Sequence, residues 1–178
     1  MKIYIYLLML FSSVCISQNK YLTKTGNVIF EASVPSFEEV KANNTSVTAI
    51  LNAENGEFAS LVLIKGFRFK NALMEEHFNE NYAESEKFPK STFKGKINNF
   101  DLLSSKEDYT IDGELSFHGV EKTMEKVPIK LIHEKDIITL SGTFKTKASD
   151  FDINIPKIVR NKISENVDVA FEFELRRK

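Results

Sequence analysis

The sequence predicts an all-β chain: a closed antiparallel barrel of eight strands, with one or two short helices inserted. Three observations carry this expectation. Apolar and polar residues alternate with period two through most segments, as half-buried strands require when successive side chains point to opposite faces. The 178 residues include fifteen Phe and five Tyr but only seven Gly, a composition of packed strands rather than of disorder. Helical stretches are few, so parallel βαβ units are not expected. An antiparallel sheet of this size closes to remove its edges, and an eight-stranded barrel has an interior that side chains fill or that holds one small ligand.

The elements follow in chain order. Val28 to Ser33 reads as the first strand and Val47 to Asn52 as the second. Asn55-Gly56 is the preferred pair for a two-residue hairpin turn, and Phe58 to Phe67 reads as the third strand. Asn71 to Glu84 breaks the alternation: Met74, Phe78 and Tyr82 recur at four-residue spacing, which predicts a helix. Pro89 marks the return to extended chain. Phe93, Gly95 and Ile97 then alternate with lysines, and Tyr109, Ile111, Gly113, Leu115 and Phe117 with polar residues. Val127, Ile129 and Leu131 continue the pattern, followed by Ile138, Leu140, Gly142 and Phe144. A second short helix is expected within Lys157 to Ser164, before a last strand from Val167 to Leu175.

The N-terminus carries a different signal. Lys2 gives a charged start, Ile3 to Phe11 is an unbroken apolar run, and Cys15 and Ser17 place small side chains before a cut at Gln18. Residues 1–17 are therefore expected to be a cleaved signal peptide and residues 18–178 one domain. The expected location is outside the cytoplasm, periplasmic or secreted. Lipidation at Cys15 is the rival processing, and Val14 is a poor fit before a lipidated cysteine. Cleavage would remove the one cysteine of the chain, leaving no disulfide, thiol nucleophile or cysteine metal site.

Charge and motifs narrow the function classes. The net charge of −1 supplies no basic field for nucleic acid. His77, His118 and His133 form no familiar metal motif, although Glu76, His77 and Glu80 lie close on the predicted helix. There is no Gly-x-Ser-x-Gly elbow and no phosphate-binding glycine loop. No catalytic residue, metal or cofactor is expected, and the chain reads as a binding protein and not an enzyme. Gly95, Gly113 and Gly142 share the register of apolar neighbours. Glycine there permits bending at barrel corners, or leaves room for an internal tunnel.

Several segments resemble the YceI family. Gly113 to Lys122, with Leu115 and the run His118-Gly119-Val120, is similar to its strand–turn signature. Met74 to Phe78, Lys87-Phe88-Pro89 and Thr92-Phe93 resemble its helix and entry into the next strand, and Ser149-Asp150-Phe151 with Ile153 its later segment. The match runs from about Leu73 to the end. The family's usual N-terminal tryptophan and early histidine are missing, Asp152 stands where glycine is common, and Ala148 where a basic residue is often found. The resemblance implies a lipocalin-like barrel around a long apolar tunnel, export, and binding of an isoprenoid-type lipid or quinone as carrier or store. On that reading Gly95, Ile97, Ile111, Gly113, Leu115, Leu140, Gly142, Phe144, Val169, Phe171 and Phe173 line the tunnel. Met74, Phe78 and Tyr82 form a lid, and a transient membrane contact serves lipid exchange. The alternative is a structural or interaction barrel with a filled core. The volume inside the barrel separates the two.

Overall fold

The structure is a computed structural model that describes residues 19–35 and 38–178. The expected signal peptide, with Cys15 and the cut before Gln18, lies outside the described residues. Nine strands form: β1 (Lys20–Ser33), β2 (Lys41–Asn52), β3 (Glu57–Leu63), β4 (Arg68–Phe69), β5 (Lys90–Ile97), β6 (Asp108–Phe117), β7 (Val120–Glu134), β8 (Ile137–Lys147) and β9 (Ile163–Arg177). Eight of them make the barrel in the order β1-β9-β8-β7-β6-β5-β3-β2, and pairing of β2 back to β1 closes it. Every pairing is antiparallel.

The two-residue β4 is a patch on the wall. After β3, a 3-10 turn at Ile64–Gly66 carries the chain outward, and β4 pairs with the first half of β2 through Ala42↔Phe69 and Asn43↔Arg68. The buried Asn44 side chain fills the resulting gap. Its Nδ2 donates to the Leu63 carbonyl at 2.9 Å and its Oδ1 accepts from the Ser46 amide at 3.0 Å. A buried amide with its hydrogen bonds made is stable where an unpaired one would not be.

Four expectations need correction, the first being that the third strand stops at Leu63 rather than Phe67, where the 3-10 turn Ile64–Gly66 takes over. The first two strands begin earlier than Val28 and Val47, because their added inward positions hold Tyr21, Thr23 and Gly26, and Ala42 and Asn44. Small and polar residues at inward positions hide the alternation. The connection at Asn55-Gly56 is a four-residue loop, residues 53–56, rather than a two-residue turn. Asn52 Oδ1 accepts from the Glu54 amide and Asn55 Oδ1 from the Glu57 amide, each at 3.0 Å, and these side-chain bonds support the longer loop. The expected second helix is a single 3-10 turn at Lys157–Val159 before β9 begins at Ile163.

The expected helix between Asn71 and Glu84 is a short α-helix, α1 (Ala72–His77), continued by a π-turn at Phe78–Tyr82. Asn71 caps it by accepting from the Leu73 amide at 2.9 Å. The Ala83 amide donates to the Phe78 carbonyl at 2.8 Å, the wider bond that marks the π-turn.

One end of the barrel is solid. Tyr21, Leu51, Ile97, Tyr109, Ile129, Leu131, Ile138 and Leu175 point inward there, and none is more than 5% exposed. They form one continuous core. Toward the other end the inward side chains are only half-buried, including Val28, Phe30, Phe93, Leu115, Phe144 and Phe171. Inward apolar groups on a closed barrel stay accessible only where the interior is hollow.

Candidate functional site

The hollow end encloses a cavity of about 520 Å³. Seven of the eight barrel strands, all but β2, supply inward residues: Val28, Phe30 and Ala32 from β1, Phe58, Ser60 and Val62 from β3, and Ser91 and Phe93 from β5. Ile111, Leu115 and Phe117 come from β6, Met124 and Val127 from β7, and Leu140 and Phe144 from β8. Val167, Val169, Phe171 and Phe173 complete the wall from β9. Eleven of the fifteen phenylalanines of the chain line this one space, so the aromatic richness of the sequence is largely a property of the site.

The cover over the cavity comes from the long connection after β3. Phe78 lies at its centre, with ring centroids 5.2 Å from Phe30, 5.8 Å from Phe67 and 5.2 Å from Phe69. Met74 and Tyr82 flank it on the same lining face. Burial pushes the Tyr82 hydroxyl pKa up. Charged and polar groups gather where the cavity meets solvent: Glu38, His77, Lys147, Lys162 and Ser164. Elsewhere on the wall the polar groups are few, and two are already engaged. Ser91 Oγ donates to the Ser116 carbonyl at 2.8 Å, and Thr146 Oγ1 donates to Asp150 at 2.9 Å. Among the described residues no group of three His, Cys, Asp or Glu side chains could hold a metal ion, and His77 stands at the mouth apart from any such group.

Two hydrogen-bonded clusters fix the loops around this end. His118 sits in the tight β6–β7 turn, with φ of 51° beside Gly119 at 78°. Its Nδ1 is 2.9 Å from the Phe151 carbonyl and its Nε2 2.8 Å from the Glu84 carboxylate, with Phe88 packed on the ring at 4.6 Å. Both partners accept, so the ring donates to both when each nitrogen carries a proton. One side chain thereby ties the β6–β7 turn to the segment after α1 and to the 3-10 turn Ala148–Phe151. Asp150 forms the second cluster. The Lys122 ammonium, the Lys147 amide and the Thr146 hydroxyl all bond its carboxylate and hold its pKa down at about 2.

Seven of the residues expected on the wall are there: Ile111, Leu115, Leu140, Phe144, Val169, Phe171 and Phe173. So are Met74, Phe78 and Tyr82 of the expected lid. Gly95, Ile97, Gly113 and Gly142 are not on the cavity wall, which corrects that part of the expectation. Ile97 is 1% exposed within the solid end. The glycines face inward but do not widen the space, because aromatic rings cover them. A β-carbon on Gly142 would stand 2.6 Å from the Phe171 ring, and one on Gly113 2.6 Å from the Phe93 ring. Phe93 also lies 2.8 Å from the corresponding point on Gly95. The interior is therefore a pocket with one end filled, not a through tunnel. Phe30, Phe67, Phe69, Phe117 and Phe151 join the wall without having been expected there. The number of phenylalanines was the signal that could have found them.

An eight-stranded antiparallel barrel with one solid and one hollow, aromatic-lined end defines a class of barrel that encloses an apolar cavity. A family model described as the YceI-like domain matches residues 21–175. The chain belongs to the YceI-like domain family. No curated protein matches it in sequence. Among solved structures, it is similar to one described as a polyisoprenoid binding domain from Saccharophagus degradans, at 16% identity and a TM-score of 0.76, covering 90% of this chain and 99% of the other. It is also similar to Burkholderia cenocepacia BcnA, at 14% identity and 0.69, over 84% and 95%. A Campylobacter jejuni YCEI protein aligns at 19% identity and 0.66, over 82% and 89%. At these identities the likeness establishes the fold.

Proposed function

We propose that this protein holds the apolar chain of a single isoprenoid-type lipid, such as a quinone or a polyprenyl alcohol, inside the hollow end of its barrel as carrier or store. The observation that carries the reading is the 520 Å³ apolar cavity, walled by phenylalanines and meeting solvent at a polar mouth. A flexible hydrocarbon chain needs an apolar enclosure with few polar anchors. Burying each methylene is worth about 0.8 kcal/mol, so even ten carbons supply ample driving force before the ordering costs. The description of a neighbour as a polyisoprenoid binding domain supports the same ligand class. A wholly filled structural barrel accounts for the solid end and leaves the hollow one without a use.

Met74, Phe78 and Tyr82 act in this reading as the cover that yields when the chain enters. Binding rather than catalysis is supported by a wall whose polar side chains are few and partly spent on the protein's own hydrogen bonds. Residues 1–17 direct the chain out of the cytoplasm, most simply to a periplasm. Ile158, 85% exposed beside the mouth residue Val159, is suited to a brief contact with a membrane during lipid exchange. The test is mass spectrometry of lipid extracted from purified protein. A stoichiometric isoprenoid supports the proposal, and protein that copurifies with no lipid and binds none when challenged rejects it. N-terminal sequencing of exported material should begin at Gln18; retained Met1 or a lipid on Cys15 would refute the processing.

A further inference from the structure

The boundary between the solid and hollow ends lies at one level around the barrel. On β9 it falls between Leu175, fully buried away from the cavity, and Phe173, which belongs to the same core but also lines the cavity. On β8 it falls between Ile138 and Leu140, and on β6 between Tyr109 and Ile111. The two rings at this level touch. Phe58 and Phe173 have centroids 5.4 Å apart, and Phe173 stacks on Phe171 at 5.7 Å with an interplanar angle of 22°. Phe173 is also seated from behind. A β-carbon on Gly26 would stand 2.4 Å from its Cδ1, so that glycine lets the ring lie flat against β1. Phe173 is thus held on three sides, by Phe58, Phe171 and the backbone at Gly26, and the packed core beneath leaves it nowhere to retreat.

Resting on the lipid-binding reading above, we infer that Phe58 and Phe173 are a chain-length stop: they set how much of an isoprenoid chain the protein encloses. A cavity of 520 Å³ divided by ~30 Å³ for each water-sized group gives room for about 17 such groups, which is three to four isoprene units. A chain of that length fills the cavity from floor to mouth. A longer chain has its excess outside in water, where it adds no affinity. Affinity therefore climbs with length, on the order of tenfold or more per isoprene unit, and then stops climbing.

The experiment measures equilibrium binding of linear prenols to the purified, delipidated protein, from geraniol through farnesol and geranylgeraniol to geranylfarnesol, with solanesol as the long extreme. The expected break falls between farnesol and geranylgeraniol. Phe173→Ala removes one ring from the floor and should move the break outward by about one unit. Affinity for geranylfarnesol should then rise by about tenfold while that for geraniol does not rise. Ser60→Leu adds bulk on the cavity wall above the floor and should move the break inward, which keeps the test decisive if Phe173→Ala fails to fold. Affinity that keeps climbing through geranylfarnesol to solanesol, or a break that no variant moves, overturns the length stop while leaving lipid binding intact. Failure to bind any prenol at all overturns the lipid reading, and the stop with it.

Discussion

Gly95 and Gly113 face each other across β5 and β6, and the Phe93 ring covers them both. A β-carbon on Gly113 would stand 2.4 Å from the Lys94 carbonyl oxygen and 2.8 Å from the Gly95 Cα. Backbone on the neighbouring strand cannot move aside as a flexible side chain can. Gly113→Leu is therefore expected to destabilise the fold by about 3 kcal/mol or more, as severe overpacking does. Urea unfolding measures it. A variant of unchanged stability that lost lipid binding would restore the idea that Gly113 opens onto a tunnel.

The His118 junction gives a second prediction. His118→Ala removes the ring that the Phe151 carbonyl and the Glu84 carboxylate both approach, and leaving a partly buried acceptor unpaired costs about 1–3 kcal/mol. Glu84→Gln removes the charge but keeps an oxygen that can accept from Nε2, so it should cost less. Denaturant midpoints compare the two. Equal losses, or none for His118→Ala, would show that the ring does not tie the three segments together.

Asp150 predicts an acid-sensitive share of the stability. Its carboxylate is bonded first by Lys122, then by the Lys147 amide and Thr146, and its pKa falls from 3.8 to about 2. A depressed pKa means that the folded state favours the ionised form. The contribution is then complete above pH 4 and is lost as pH falls from there toward 2. Partial exposure screens the pair, so the share is about 1 kcal/mol. Asp150→Asn should remove it, giving a stability profile flatter than the parent's across that interval. Parallel profiles would mean that the Lys122–Asp150 contact contributes nothing in solution.

These residues also show what the sequence could reveal. Period two exposed the barrel because Tyr109 to Phe117 and Val167 to Leu175 alternate cleanly. It concealed the starts of β1 and β2, where Thr23, Gly26 and Asn44 stand at inward positions that alternation expects to be apolar. It placed Gly95, Gly113 and Gly142 on the inward face correctly, but could not say what covered them. That depends on rings from the same and neighbouring strands: Phe93 precedes Gly95 by two residues, whereas Phe171 meets Gly142 through the β8–β9 register. The floor was hidden for the same reason. Phe173 and Leu175 look equivalent in the sequence and both join the packed core, and only closure of the barrel brings Phe173 to the cavity as well.

The last prediction separates packing from gating in α1 and its π-turn. Phe78 touches Phe30, Phe67 and Phe69 at once, so it holds the cover to the barrel as well as lining the cavity. Phe78→Ala should cost about 3 kcal/mol, the lower end for a truncated Phe because the ring is half-buried. Met74 lines the cavity on the same face and makes none of these ring–ring contacts. Met74→Ala should therefore cost less stability, about 2 kcal/mol, the lower end for a truncated Met because the side chain is half-buried, yet loosen the cover where a lipid chain would pass. Transfer of a fluorescent prenyl probe from protein to vesicles, followed by stopped flow, should run several-fold faster in Met74→Ala than its stability loss explains. An unchanged transfer rate would leave the segment as wall alone, with entry and exit controlled elsewhere at the mouth.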